Sequence, residues 1–403
     1  MARFKVISFQ RSLSPEAADV AEVAGSSSKA WPLRQLSTAF AGCRWGGGWL
    51  RQGFRGVCLL LILSVAATIP IVQWGTLGYL LEVSRRRAVG GRWQETLPGL
   101  EVAGRLGVVA LGLFLTWLPV GFSMYFAYQA DLIDPRSPTA DRWRAAAGVS
   151  GIAWMLLAVW AWMRGGRFQD FLWPAPRRFL KEFFRPASWR VAEDRLWETL
   201  VQLQLPRLIW LGLRASVGAW LWLAVPATLM VIGMQANDSP WRALVGVVGF
   251  LAMGWVLLYL PFLQTKLAVE GRMAAMFDRR GTRQAFQRAP WAFFLGLSAT
   301  LLLAIPLYLL RIETLPPELL WLPCLVFVLF SLPARVALGW ALYRSRRFPR
   351  PRAWWSRYAA WLLQLAILPG YLFFLYLGPL ATWDGFLILY WQHAFLPPVP
   401  FIR

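Results

Sequence analysis

Long apolar runs separated by short arginine-rich stretches set the pattern of this chain. Eight runs, at 56–81, 106–128, 145–163, 208–234, 243–263, 292–310, 319–342 and 359–380, reach roughly the 20 residues an α-helix needs to cross about 30 Å of hydrocarbon. None shows the period-two alternation of barrel strands, and unpaired backbone groups are not tolerated in lipid, so the runs are predicted to be helices. The expected fold is an all-α membrane protein, a polytopic transmembrane helical bundle of about seven to eight spans with cytoplasmic amphipathic helices. A ninth apolar stretch, 385–402, is interrupted by Pro397, Pro398 and Pro400 and reads as an interfacial or re-entrant tail.

These runs divide the chain. Residues 1–30 are Ser-rich at their end and lack a signal-peptide core, so they read as a mobile cytoplasmic tail. A basic, amphipathic pre-membrane segment follows at 31–55. A first membrane block covers 56–163, a cytoplasmic amphipathic loop 164–207, a second membrane block 208–380 and the tail 381–403.

Charge orients the picture. The chain has 42 Lys and Arg, 20 Asp and Glu, and a formal net charge of +22. Of the 42, 34 lie before residue 56 or in the loops 82–105, 164–207, 264–290 and 343–358, and only 6 in the alternate loops and the C-terminus. Such asymmetry places the basic loops in the cytoplasm. Basic residues confined between apolar segments argue for lipid phosphate as the partner and against nucleic acid. Two basic stretches flank the single run 56–81, which conflicts with one crossing. Pro70 resolves this if the run is a helical hairpin bent there, with both ends on one side. A single tilted span with an external N-terminus is the alternative.

Within 164–207, Phe179, Leu180, Phe183 and Phe184 recur at helical spacing opposite Arg177, Arg178, Lys181 and Arg185. Ala192, Leu196, Leu200 and Leu203 continue the stripe after Pro186. Basic amphipathic helices of this kind lie on anionic membranes, making these four basic residues candidate contacts to anionic lipid headgroups. Capping of the bundle's cytoplasmic face is the plainer use of the same pattern.

Few residues offer chemistry. His393 is the only histidine, and Cys43, Cys58 and Cys324 have no metal-like spacing, so no metal, cofactor or catalytic site is expected. Arg335 stands nine residues before Arg344 inside an apolar run, about 13 Å from its end at 1.5 Å per residue. A charge at that depth is a functional candidate by default, with snorkelling as the alternative. Arg214 is shallower and reads as a snorkelling residue. Lys266 and Glu270 form an i,i+4 surface pair, and Gln73, Gln264 and Gln364 are scattered polar positions. Pro119, Pro226 and Pro306 fall within spans, and Pro369 is expected to break the last one. Ala147 with Gly151 suits close helix packing.

Gly78-Tyr79-Leu80, then Arg85-Arg86-Arg87, then Leu97-Pro98 resembles an uncharacterised family of bacterial multi-pass integral membrane proteins. Glu270-Gly271-Arg272 with Met276-Phe277 and Pro290 is similar to the second half of that pattern. The resemblance spans 56–310 and implies a bacterial inner-membrane location without transferring a catalytic residue. The function expected is non-enzymatic handling or organisation of lipids or small hydrophobic molecules. A permease built on proline-broken helices, and an intramembrane enzyme, are the alternatives.

Overall fold

The computed structural model describes residues 34–90, 93–235, 239–309, 321–381, 385–390 and 395–397. The expected tail 1–30, His393, Asp238, Pro398 and Pro400 therefore lie outside the described residues. The chain forms two compact units, Met1–Gln52 and Gly53–Arg403. The described part of the first is the opening of α1 (Arg34–Thr68); everything below concerns the second.

All regular structure among the described residues is helical. After α1 come α2 (Val72–Val89), α3 (Trp93–Thr96), α4 (Leu100–Ile133) and α5 (Pro138–Arg164). Three short or solvent-facing helices follow, α6 (Phe168–Leu172), α7 (Pro176–Glu182) and α8 (Pro186–Leu203). The remainder is α9 (Leu205–Met234), α10 (Pro240–Glu270), α11 (Arg279–Arg288), α12 (Pro290–Leu309), α13 (Trp321–Arg347) and α14 (Trp354–Ala381). Eight helical stretches are long and apolar enough to cross a membrane, in keeping with an all-α polytopic bundle.

The run 56–81 is divided. Helix α1 stops at Thr68 and α2 starts at Val72, with Pro70 between them withholding a backbone donor. The chain then doubles back, because Thr76 Oγ1 donates to the Leu63 carbonyl at 3.3 Å. Thirteen residues of unbroken helix would hold those groups about 20 Å apart. Ile71 turns the corner with φ 73° and ψ −50°, a region that a β-branched residue enters only under strain.

Helix α2 is the centre of the bundle. Its residues from Gly75 to Ser84 are buried without exception. Glycines let its neighbours come close: a Cβ at Gly78 would strike the Leu208 carbonyl of α9, and one at Gly212 would strike the Trp74 carbonyl. On the other side a Cβ at Gly339 of α13 would meet the Ser84 carbonyl, while Ser84 Oγ donates to the Arg335 carbonyl at 2.9 Å. Small residues at helix crossings are the usual means of close packing in lipid.

The other prolines behave differently from Pro70. Pro119, Pro226 and Pro306 lie inside continuous helices, as do Pro261 and Pro333. Pro369 also lies inside an unbroken α14, which corrects the expectation that it breaks the last span. Packed neighbours and hydroxyl side chains hold a helix together across a proline.

One end of the bundle collects the basic segments. Arg55 pairs with Glu101 at 3.6 Å, and Glu82 faces Arg207 at 3.9 Å. Tyr79 Oη donates to the Pro98 carbonyl at 3.0 Å and Arg346 reaches the Ala88 carbonyl at 3.5 Å. The opposite end carries the cluster of Arg144 with Asp131 and Asp141. Beyond α14, the segment Gly385–Tyr390 turns back against α9, where Tyr390 stacks on Trp220. Phe395 is fully buried, and its carbonyl accepts a bond from Gln264 Nε2 at 2.8 Å.

Candidate functional site

Three helices leave a groove at the basic end. Helix α10 contributes Trp255 and Tyr259, one turn apart; α11 contributes Arg283, Phe286 and Gln287. From α14 come Trp354, Arg357, Tyr358 and Trp361, the i, i+3, i+4, i+7 face of one helix. The space between them is about 510 Å³, within the range of small-molecule sites. It leads to an inner chamber of about 60 Å³ that reaches the buried Gln364. The chamber wall is the stacked pair Phe262 and Phe293, 4.2 Å between ring centroids.

Helix α11 is held in place electrostatically. Asp278 caps it, accepting from the Gly281 N–H at 2.8 Å, and its other oxygen binds Lys266 of α10. The Lys266 hydrogen bond, with help from that N–H, holds the Asp278 carboxyl below its usual range. Helix α14 is tied to α12 by Trp291 Nε1 donating to Ser356 Oγ at 3.1 Å. The Arg352 N–H bonds the Gln287 carbonyl at 2.9 Å, joining the start of α14 to the end of α11.

Both arginines of the groove lack a carboxylate among the lining residues. Arg357 Nε is buried and donates to no described residue. The arrangement is therefore cationic and rimmed by aromatic rings, and Leu362 of α14 and Leu251 of α10, outside its lining, are exposed apolar side chains. Chemically it suits an amphipathic anion. Among the described residues no cluster of His, Cys, Asp and Glu is placed to hold a metal ion.

The residues singled out from the pattern fall elsewhere. Arg335 is buried between α12 and α13, beside a crevice of about 10 Å³ that it shares with Thr300 and Ser331. That is room for a single water. Gln364, one of the scattered polar positions, lines the inner chamber and not the space beside Arg335. Arg177, Arg178, Lys181 and Arg185 are all exposed. Phe179 and Phe183 turn inward from the same segment onto the Trp160 cluster at the end of α5. Helix α8 leaves Leu196, Trp197 and Val201 exposed. Arg214 donates to the Gly271 carbonyl. Lys266 does approach Glu270, at 3.6 Å, but its tighter partner is Asp278, 12 positions on, which helical spacing alone does not reveal. Gly151 meets only Val120, at 4.0 Å, so it is not a close crossing.

Compared with known protein families, with proteins of established function and with solved structures, the chain gives no match. Its function is therefore argued from its own geometry. Trp354, Arg357, Tyr358 and Trp361 were not singled out from the sequence, although their i, i+3, i+4, i+7 spacing is a signal that could have found them. Their meeting with α10 and α11 has no such signal.

Proposed function

We propose that this chain is a non-enzymatic bacterial inner-membrane protein that handles or organises lipids or small hydrophobic molecules. Its basic loops lie in the cytoplasm, and its groove admits a ligand sideways from the cytoplasmic leaflet. The observation that carries this reading is the groove itself: two arginines and six aromatic side chains converge from three helices where the spans meet the basic loops. Guanidinium groups from an exposed Arg283 and a half-buried Arg357, set beside aromatic walls, match a molecule that is polar at one end only. Arg177, Arg178, Lys181 and Arg185 add a second, more diffuse attraction to anionic headgroups, with the exposed apolar side of α8 resting in the interface. Arg335 and Gln364 line separate cavities, which favours lipid handling over a polar permease pathway. Kinship with the uncharacterised bacterial family rests on the residues of the Gly78 and Glu270 stretches.

A membrane lipid carrying a photoreactive diazirine near its headgroup tests the reading. Irradiation should attach it to peptides containing Trp255–Tyr259 and Trp354–Trp361. Attachment confined to the outward faces of α4 and α5 would show ordinary contact with solvent lipid and remove the proposal.

A further inference from the structure

We infer that the groove selects a glycerophospholipid with a net negative headgroup, recognised by Arg283 and Arg357 together. This rests on the lipid reading above and adds the chemistry of the headgroup. The aromatic lining taken alone would equally suit a quaternary ammonium, since Trp and Tyr faces attract such cations. The two guanidinium groups decide the sign. No carboxylate lies among the lining residues to neutralise them. A phosphodiester supplies the missing acceptors, and guanidinium binds such oxyanions in a planar, paired manner that no ammonium matches. A choline group in the same space would sit against two fixed positive charges.

Position agrees with the charge. Arg283 lies on the second turn of a helix whose cap is anchored to α10, and Arg357 lies on the first turn of α14. Both heads thus sit at the basic end of the bundle, with Trp361 and Gln364 successively deeper along α14. The inner chamber of about 60 Å³ is too small for an acyl chain but takes one or two waters or a glycerol hydroxyl at the Gln364 amide. The chains would leave over the exposed Leu362 and Leu251 into the bilayer.

The full chain in detergent, titrated with dioleoyl-phosphatidylglycerol or dioleoyl-phosphatidylcholine and read by native mass spectrometry, tests this. One phosphatidylglycerol should bind roughly tenfold tighter than phosphatidylcholine, given two basic groups at the site. Arg283→Gln with Arg357→Gln should abolish that preference. Arg283→Lys with Arg357→Lys keeps the charge but loses the paired geometry, so both lipids should bind more weakly while the preference for phosphatidylglycerol persists, which separates lost charge from lost folding. Arg177→Gln with Arg178→Gln, outside the groove, should leave it intact. Equal binding of both lipids, with photo-attachment still at the groove, would overturn the charge selection while leaving the lipid reading standing. Binding of neither lipid would overturn both.

Discussion

Helices α2 and α4 are opposites in composition and in place. Helix α4 is among the most apolar stretches of the chain, yet only 11% of its most apolar window is buried, and 17% of that of its neighbour α5. Phe114, Leu118, Phe122 and Met124 stand exposed along it. Helix α2 carries Thr76, Glu82, Ser84 and two glycines, and it is the buried centre. In water the ranking would be reversed. In lipid, apolar side chains gain nothing by leaving the hydrocarbon, so the interior goes to small and polar groups that let backbones approach and bond. Glu82 illustrates how such a group is compensated, since Arg85 donates to its carboxylate at 2.6 and 2.7 Å and Arg86 at 3.1 Å.

The contrast breaks most readily at the glycines. Gly212→Leu should force α9 off α2 and leave little folded protein, since its first added carbon already collides with backbone; overpacking a core costs typically about 1–3 kcal/mol even without such a collision. Gly148→Leu in α5, where a Cβ meets nothing within 4 Å, should change thermal stability within about 0.5 kcal/mol. Melting both variants in one detergent compares them directly. Equal losses would mean that α5 is packed as tightly as α2.

Next in size is the turn. Ile71→Gly removes the strain of φ 73° and should stabilise the fold by about 1 kcal/mol, against the greater chain entropy of glycine. A lowered melting temperature would show that the Ile71 side chain holds the hairpin.

Acid gives a graded effect. Asp278 is held below its ordinary range in the fold. The stability it contributes is therefore present above the unfolded carboxylate range near about 4 and is lost as pH falls through its lower folded value. Melting temperature should be flat from neutral pH to about 5 and then decline, and Asp278→Asn should flatten part of the decline. Groove binding should weaken over the same interval as α11 loosens, and a profile unchanged by Asp278→Asn would detach that cap from the groove. The smallest effect belongs to Arg335→Met, which should leave lipid binding at the groove as it was, because Arg335 borders none of that space. Loss of binding there would restore Arg335 as a functional charge.

Much of the architecture was legible because lipid imposes length and apolarity on each span, and Pro70 announced the break in 56–81. Pro369 misled, since a proline alone does not say whether neighbours will hold the helix together. The centrality of α2 was hidden for a related reason: its short, mixed sequence looks like a weak span, and its burial comes from glycines on α9 and α13 that meet it only in three dimensions. The groove was not singled out. The stripe on α14 has helical spacing that could have found it, whereas Arg283 joins it only through the clamp between Lys266 and Asp278. The deep arginine attracted notice because depth is readable from spacing, but the space beside it is not.

The central claim is that α1 and α2 form a hairpin bent at Pro70 whose two outer ends lie on the same side of the membrane. Single cysteines at Gly53, Val89 and Asp134, in a background lacking Cys43, Cys58 and Cys324, can be labelled with a membrane-impermeant maleimide in intact cells. Gly53 and Val89 are exposed and flank the hairpin, and Asp134 follows α4 at the opposite end. The account predicts labelling at 134 alone, with 53 and 89 reacting together once the membrane is opened. Labelling of 53 from outside while 89 stays protected would contradict it and establish one tilted span.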